Sequence, residues 1–243
     1  MERITFPVYV PSWAYGMLRA IERKAAAVRV PALNLYGDRE IEWSFMASRM
    51  PAGPGRSLDF GASSGELSML AAQRGFQVLA VDLGPERFPW KHPEVEFLQA
   101  DFLETDLPFE SFDLVLNCSS VEHVGLKGRY GVAQEETDGD LAAMRKILQL
   151  LKPGGTMLMT IPCGRDATII PWHRVYGEER LPRLLAGFRI EEQAYWVKQR
   201  DNRWRPCGRD TALSFSPTAH AKSAALCSYA LGCFVLRREI FRD

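Results

Sequence analysis

Leu58-Asp-Phe-Gly-Ala-Ser-Ser-Gly-Glu66 is the stretch on which the fold turns. Ser57 to Phe60 is a short, mostly apolar run closed by a glycine, the mark of a buried strand. Gly61 and Gly65 allow backbone conformations that other residues resist, so the chain there can pass close to a ligand. Gly65 to Arg74 reads as a helix, and the N–H groups of its first turn point back at the glycine turn. The same rhythm continues downstream. Phe76–Val81, Val95–Gln99, Phe112–Asn117 and Thr156–Ile161 are further short apolar runs, and Asp140–Leu151 is a helix that stops at Lys152-Pro-Gly-Gly155. Continuous apolar runs belong to strands buried on both faces. Their alternation with helices predicts β-α-β units and a mainly parallel sheet.

The ends of the chain complete the outline. After residue 162 come a helix over Glu178–Ala186, a strand near Arg189–Val197 and a last strand near Tyr229–Arg237. Upstream, Trp13–Val30 and Arg39–Met50 read as helices, stopped by Pro31 and by Pro51-Ala-Gly-Pro-Gly55. The expected fold is α/β: a Rossmann-like, doubly wound, mainly parallel sheet with an antiparallel last strand and an N-terminal helical extension. Residues 1–55 form a helical cap on a single domain that spans 56–243. The cluster Arg39, Glu42 and Trp43 on the second helix reads equally well as a lid over a site or as packing against the sheet.

Doubly wound sheets bind ligands at the carboxyl ends of their strands. The glycine turn does not match G-x-G-x-x-G, because Ser63 and Glu66 hold the second and last glycine positions. No G-x-x-x-x-G-K-[ST] loop is present, so the spacing argues against both NAD and ATP. Asp82 closes the second strand, 21 residues after Gly61. An acid at that distance can accept both ribose hydroxyls of a nucleoside. Asp101, in Gln99-Ala-Asp-Phe102, closes the third strand and can accept an adenine amino group. A single aspartate at a strand end is as readily a loop cap. Three neighbouring strand ends in register are what point to a nucleoside.

The chain resembles the class I S-adenosylmethionine (SAM)-dependent methyltransferases. Asp59-x-Gly61-x-Ser63-x-Gly65 is similar to their acidic-Gly-x-Gly-x-Gly loop, with Ser63 replacing the middle glycine. Asp82, Asp101-Phe102, the strand Phe112–Asn117 and Leu151-Lys-Pro-Gly-Gly155 fall where the later motifs of that family fall. The resemblance implies SAM as cofactor. Asp59, Gly61, Ala62, Ser63 and Gly65 would lie at its methionine part, Asp82 and Leu83 at the ribose, Asp101 and Phe102 at the adenine, and Asn117 and Cys118 along the pocket. The following stretch, Ser119-Ser-Val-Glu-His-Val-Gly125, is similar to the Glu-His-Val segment of small-molecule O-methyltransferases, including those of ubiquinone synthesis. Those carry an acid of a metal site three residues before the glutamate. Ser119 stands there in this chain, so no metal is expected. The segment also resembles a methyltransferase subgroup associated with surface-glycan genes. The acceptor implied is a hydroxyl on a small molecule or a glycan precursor.

Composition bounds the alternatives. The 243 residues are 47% hydrophobic and 25% charged, ordinary values for a globular chain with a sizeable core. Thirty basic and thirty acidic residues cancel, which argues against a general nucleic-acid binder. One local excess runs from Lys198 to Arg209, read as a solvated loop or a contact for an anionic group. Five cysteines with no C-x-x-C pair suggest free thiols in a reducing compartment. The start of the chain lacks the apolar core of a signal peptide, and the longest apolar run, Ala224–Leu236, is too short to span a bilayer. A cytoplasmic monomer or homodimer is expected.

A hydroxyl nucleophile profits from a base near neutrality, for which histidine is suited. His123 lies just past the fourth strand and His173 just past the fifth. Both are candidates for base or substrate contact, against a simpler role in shaping the pocket wall. Glu122 is expected to face away from His123. His92 reads as a surface residue, Trp172 and Tyr176 as packing residues, and His220 carries no further signal. Two rival functions remain: a non-catalytic SAM-binding regulatory or partner subunit, and a nicotinamide oxidoreductase, which the glycine spacing disfavours.

Overall fold

The computed structural model describes residues 37–128, 130, 132, 135–198, 203–218 and 227–239. The expected helix Trp13–Val30 and His220 lie outside them. Helix α1 (Gly37–Arg49) leads into β1 (Gly55–Phe60), α2 (Glu66–Gln73), β2 (Phe76–Asp82), β3 (Val95–Gln99) and β4 (Phe112–Cys118). Then follow α3 (Gly139–Leu150), β5 (Leu151–Cys163), a hairpin of β6 (Ala167–Ile169) and β7 (His173–Val175), β8 (Phe188–Lys198), β9 (Trp204–Cys207) and β10 (Ala230–Arg238).

Eight strands form one sheet in the order β3-β2-β1-β4-β5-β10-β8-β9. The first five are parallel, and β10 runs antiparallel between β5 and β8. The Rossmann-like sheet and its antiparallel last strand are as the sequence predicts. Neither the β6–β7 hairpin nor the edge strand β9 was expected.

Alternation along each strand feeds two cores. Leu114, Leu116 and Leu158 face α1 and α2, where they meet Phe45, Met46, Leu67 and Ala71. Val115, Met157, Met159 and Ile161 face α3 and meet Met144, Ile147 and Leu150. With both faces covered, the central strands read as unbroken apolar runs. The Pro-Gly-Gly of residues 153–155, expected to end a helix before a separate strand, lies inside β5. The pairing register of β4 with β5 shifts between Phe112 and Leu114 to absorb it, and Gly154 takes φ 75° there.

Parallel register brings the carboxyl ends of β1 to β4 to one edge. Phe60 pairs with Val81, Asp82 with Gln99 and Asp59 with Leu116. All five cysteines are free thiols. Among the described residues, no helix is long and apolar enough to cross a membrane.

One buried cation holds the loop that follows β4. Arg174, 2% exposed, donates to the carbonyls of Val124 at 2.5 Å and Glu136 at 2.9 Å and lies 3.7 Å from Asp140. Asp140 keeps Arg180 and the Tyr176 hydroxyl as further partners. Removing one member of such a buried network leaves desolvated acceptors behind, at a cost of about 3 kcal/mol. Arg174→Met is expected to lose about that much stability by urea unfolding. A loss well under 1 kcal/mol would show that the loop does not depend on this contact.

Candidate active site

A cleft of about 290 Å³ opens over the strand ends, near the lower bound of the roughly 300–1,000 Å³ usual for small-molecule sites. Of the expected cofactor residues, Gly61, Ser63, Asp82, Leu83, Asp101, Phe102 and Cys118 line it, as does His123. Asp59, Ala62, Gly65, Asn117 and His173 are not part of this lining.

The turn after β1 has the shape its glycines predict. Gly61 takes φ 74° and Gly65 φ 79°, and a Cβ on Gly61 would collide with the Ser120 hydroxyl. Ser63, in place of the middle glycine, also takes a left-handed φ of 51°. That conformation costs an ordinary residue about 1 kcal/mol. The Ser63 N–H donates to Asp82 Oδ2 at 2.9 Å, and the Gly84 N–H donates to Oδ1 at 2.8 Å. Asp82 therefore holds the turn and its own loop together at the cleft wall. Each carboxylate oxygen keeps a lone pair for a further donor. Asp101 accepts from the Leu103 N–H at 2.9 Å and starts the short turn Phe102–Glu104. The Phe102 ring packs on Phe60 with centroids 4.5 Å apart.

Asp59 does not reach the cleft. It is 2% exposed and accepts from the Ser68 hydroxyl at 2.6 Å, tying α2 to the end of β1. Asn117 is fully buried and accepts from the Val121 N–H at 3.0 Å, which fixes the turn Val121–His123. Desolvation, reinforced by Glu42, pushes the Cys118 thiol well above its ordinary range, so it lines the cleft as a neutral group.

His123 Nδ1 lies 2.6 Å from the Trp172 carbonyl oxygen. A carbonyl only accepts, so Nδ1 carries the proton and Nε2 is the basic nitrogen of the neutral ring. Glu122, expected to face away, places Oε1 3.8 Å from Nε2, because the tight turn Val121–His123 brings the neighbouring side chains together. His173 is 4% exposed, its ring 6.5 Å from that of His123 and 5.2 Å from that of Tyr229. Tyr176 is buried, as expected of a packing residue.

Several lining groups were not singled out from the sequence: Ser120, Tyr130 and Glu136 after β4, and Arg87 and Glu104 around the acids; Ser119, read there only as the residue in place of a metal-site acid, lines the cleft too. Arg39 also lines the cleft, so α1 contributes to the site. Of the basic stretch near residue 200, Arg209 is paired with Glu178 and the Lys198 amine lies 5.7 Å from the Trp204 ring centroid. Among the described residues, no three His, Cys, Asp or Glu side chains are arranged to hold a metal.

A family model described as "Caenorhabditis protein of unknown function, DUF268" matches residues 93–202. The chain is 31% identical over 163 residues to the ubiquinone biosynthesis O-methyltransferase of Xanthomonas campestris pv. campestris, covering 64% of this chain and 62% of that enzyme. It therefore spans under two thirds of that relative's length. Its fold is similar to that of the Burkholderia thailandensis 1,6-didemethyltoxoflavin-N1-methyltransferase with bound 1,6-didemethyltoxoflavin and S-adenosylhomocysteine. The TM-score is 0.51 at 18% identity, covering 98% of this chain and 94% of the other. It is similar also to the N-methyltransferase NodS of Bradyrhizobium japonicum, with TM-score 0.55 at 16% identity over 90% and 97% of the two chains. The chain has the class I SAM-dependent methyltransferase fold.

The buried Asp59 carries a pH signature. Burial, with Asp82 and Glu66 nearby, raises its carboxyl to about 6 against the opposing hydrogen bond from Ser68. The folded protein keeps this proton over a range in which the unfolded chain has lost it. Its contribution to stability therefore falls as pH rises from about 4 to about 6 and is level above that. At 1.36 kcal/mol per unit the difference is about 3 kcal/mol. The stability of Asp59→Asn relative to the parent should rise by about that amount between pH 4 and 7 in urea titrations. A difference independent of pH would contradict the assignment.

Proposed function

We propose that this protein transfers the methyl group of SAM to a hydroxyl oxygen of a small molecule or glycan precursor. The observation that carries the reading is the juxtaposition of Asp82 and Asp101 at neighbouring strand ends with a basic histidine nitrogen across the same cleft. The donor set fits an adenosine. Asp82 presents acceptors suited to ribose hydroxyls, and Asp101 an acceptor suited to an exocyclic amine. Phe102, Leu83 and Val81 supply apolar surface around them. The Cβ-less turn at Gly61 lets the backbone approach the remainder of the molecule. The sequence identity to an O-methyltransferase and the solved methyltransferases of this fold support the same reading.

Bound SAM would supply a methyl group already activated on a sulfonium, so the protein's tasks are binding, alignment and proton removal. His123 is the group proposed for the last task. With Nδ1 engaged by Trp172, Nε2 accepts the proton of the attacking hydroxyl, and Glu122 nearby stabilises the imidazolium that results. Tyr130, its ring 5.5 Å from His123 and half exposed, forms the outer wall against which the acceptor would lie. The buried His173 backs this wall through its contact with His123. Residues 1–55 are proposed to act as a cap on the domain, the cytoplasm as its location, and a monomer or homodimer as its state.

The test separates cofactor binding from chemistry. In calorimetric titrations SAM should bind at micromolar affinity and NADH should not. Asp82→Ala should weaken SAM at least tenfold, about 1.4 kcal/mol. His123→Ala should leave that affinity unchanged and lower transfer of labelled methyl to hydroxyl acceptors roughly 100- to 10,000-fold. Absence of SAM binding would overturn the whole reading. Unchanged transfer in His123→Ala would remove the base, and SAM binding without transfer to any acceptor class would favour a regulatory subunit.

A further inference from the structure

Glu42 is fully buried, although it is a carboxylate on a helix at the edge of the site. Burying such a charge is costly unless both oxygens are engaged. Here they are engaged from three directions. The hydroxyls of Ser119, just after β4, and Thr160, in β5, donate to Oε1, the latter at 2.8 Å. The Arg39 guanidinium donates to Oε2. Ser119 adopts a left-handed φ of 48°, a conformation that a non-glycine residue holds only when its surroundings impose it. Arg39 has a second contact, Nη1 to Cys118 Sγ at 3.5 Å. Arg39, Cys118 and Ser119 all line the cleft, whereas Glu42 does not.

The direction of the cleft gives this cluster a purpose. Asp82 and Asp101 lie at the ends of β2 and β3, on one side of β1. Cys118 and Ser119 lie at the end of β4, on the other side. A nucleoside held by the two acids leaves the rest of its ligand to run over β1 toward β4. Arg39 is the cation that lines the cleft at that end.

We infer that Glu42 is a positioning residue for recognition of the amino-acid end of the cofactor, acting through Arg39 without touching the ligand, while Ser119 and Thr160 hold its carboxylate in place. This inference rests on the proposed SAM reading. Glu42 ties helix α1 to β5 and to the turn after β4. It holds the guanidinium over the cleft in one orientation, where it meets an α-carboxylate. Gln at this position keeps the shape and an acceptor oxygen, yet loses the charge that orders Arg39.

Two probes that differ only at the amino-acid end test this by calorimetry: S-adenosylhomocysteine, and 5′-methylthioadenosine, which has the same nucleoside thioether without the amino acid. Glu42→Gln is expected to weaken S-adenosylhomocysteine at least tenfold while 5′-methylthioadenosine changes less than twofold. Arg39→Gln should behave alike, and the double variant should be no weaker than Arg39→Gln alone, because Glu42 acts through Arg39. Ser119→Ala, which removes one donor and leaves the carboxylate in place, should give a smaller loss with the same selectivity, and it decides the matter should Glu42→Gln not fold. Equal weakening of both probes would mean a purely structural role, and no weakening would mean no role. Either result overturns the inference while leaving the methyltransferase reading intact. If the parent protein binds neither probe, that reading fails and the inference falls with it.

Discussion

The loop after β1 runs so close to the turn after β4 that a side chain on Gly61 would collide with the Ser120 hydroxyl. The cleft depends on that close approach. It requires a residue without Cβ at φ 74°, and it sets the turn so that the Ser63 N–H reaches Asp82 on the neighbouring strand. Three adjacent strands are thereby locked at their carboxyl ends by short contacts to backbone. The acids at those ends face the cleft because the parallel register ends the strands together. Asp59, which the same motif contains, is used differently: its carboxyl braces α2 from behind, whereas Asp82 and Asp101 line the cleft.

The second half of the site is built by a different device. Asn117 holds the backbone at Val121, the Trp172 carbonyl fixes the His123 ring, and Arg174 collects the carbonyls of the loop that follows. These contacts join β4 to the β6–β7 hairpin. The hairpin thus acts as a support for His123, and His173, expected just past the fifth strand, is instead the first residue of β7 within that support. A rigid, single-tautomer imidazole is what a proton-accepting role needs.

Much of this could be read from residues in order. Buried parallel strands announce themselves as unbroken apolar runs, and their ends are marked by glycine and aspartate, so the order of elements and the pair Asp82 and Asp101 were visible. Shorter or less regular pieces were not. The β6 and β7 strands have three residues each, too few to show a period. β9 contains Pro206, a residue that sheets tolerate only at an edge, which is where β9 lies. The Pro-Gly-Gly of β5 reads as a stop when only local signals are weighed, whereas pairing with β4 carries the strand through it. Glu42 and Ser119 are 77 positions apart, and no local pattern links a glutamate on an early helix to a serine after the fourth strand. The cluster Arg39, Glu42 and Trp43 showed the helix side of this contact, the Arg39–Glu42 pair, but not the serine it reaches.

The proposed adenosine site of SAM lies at the carboxyl ends of β1 to β4, with Asp82 at the ribose and Asp101 at the adenine. The most direct measurement is a crystal structure with S-adenosylhomocysteine. In it the ribose hydroxyls should lie within about 3 Å of the Asp82 carboxylate, the adenine amine on Asp101, and the thioether over Gly61 on the side of His123. A nucleoside bound away from these acids, or in the reverse direction with its adenine beside Arg39, would contradict it.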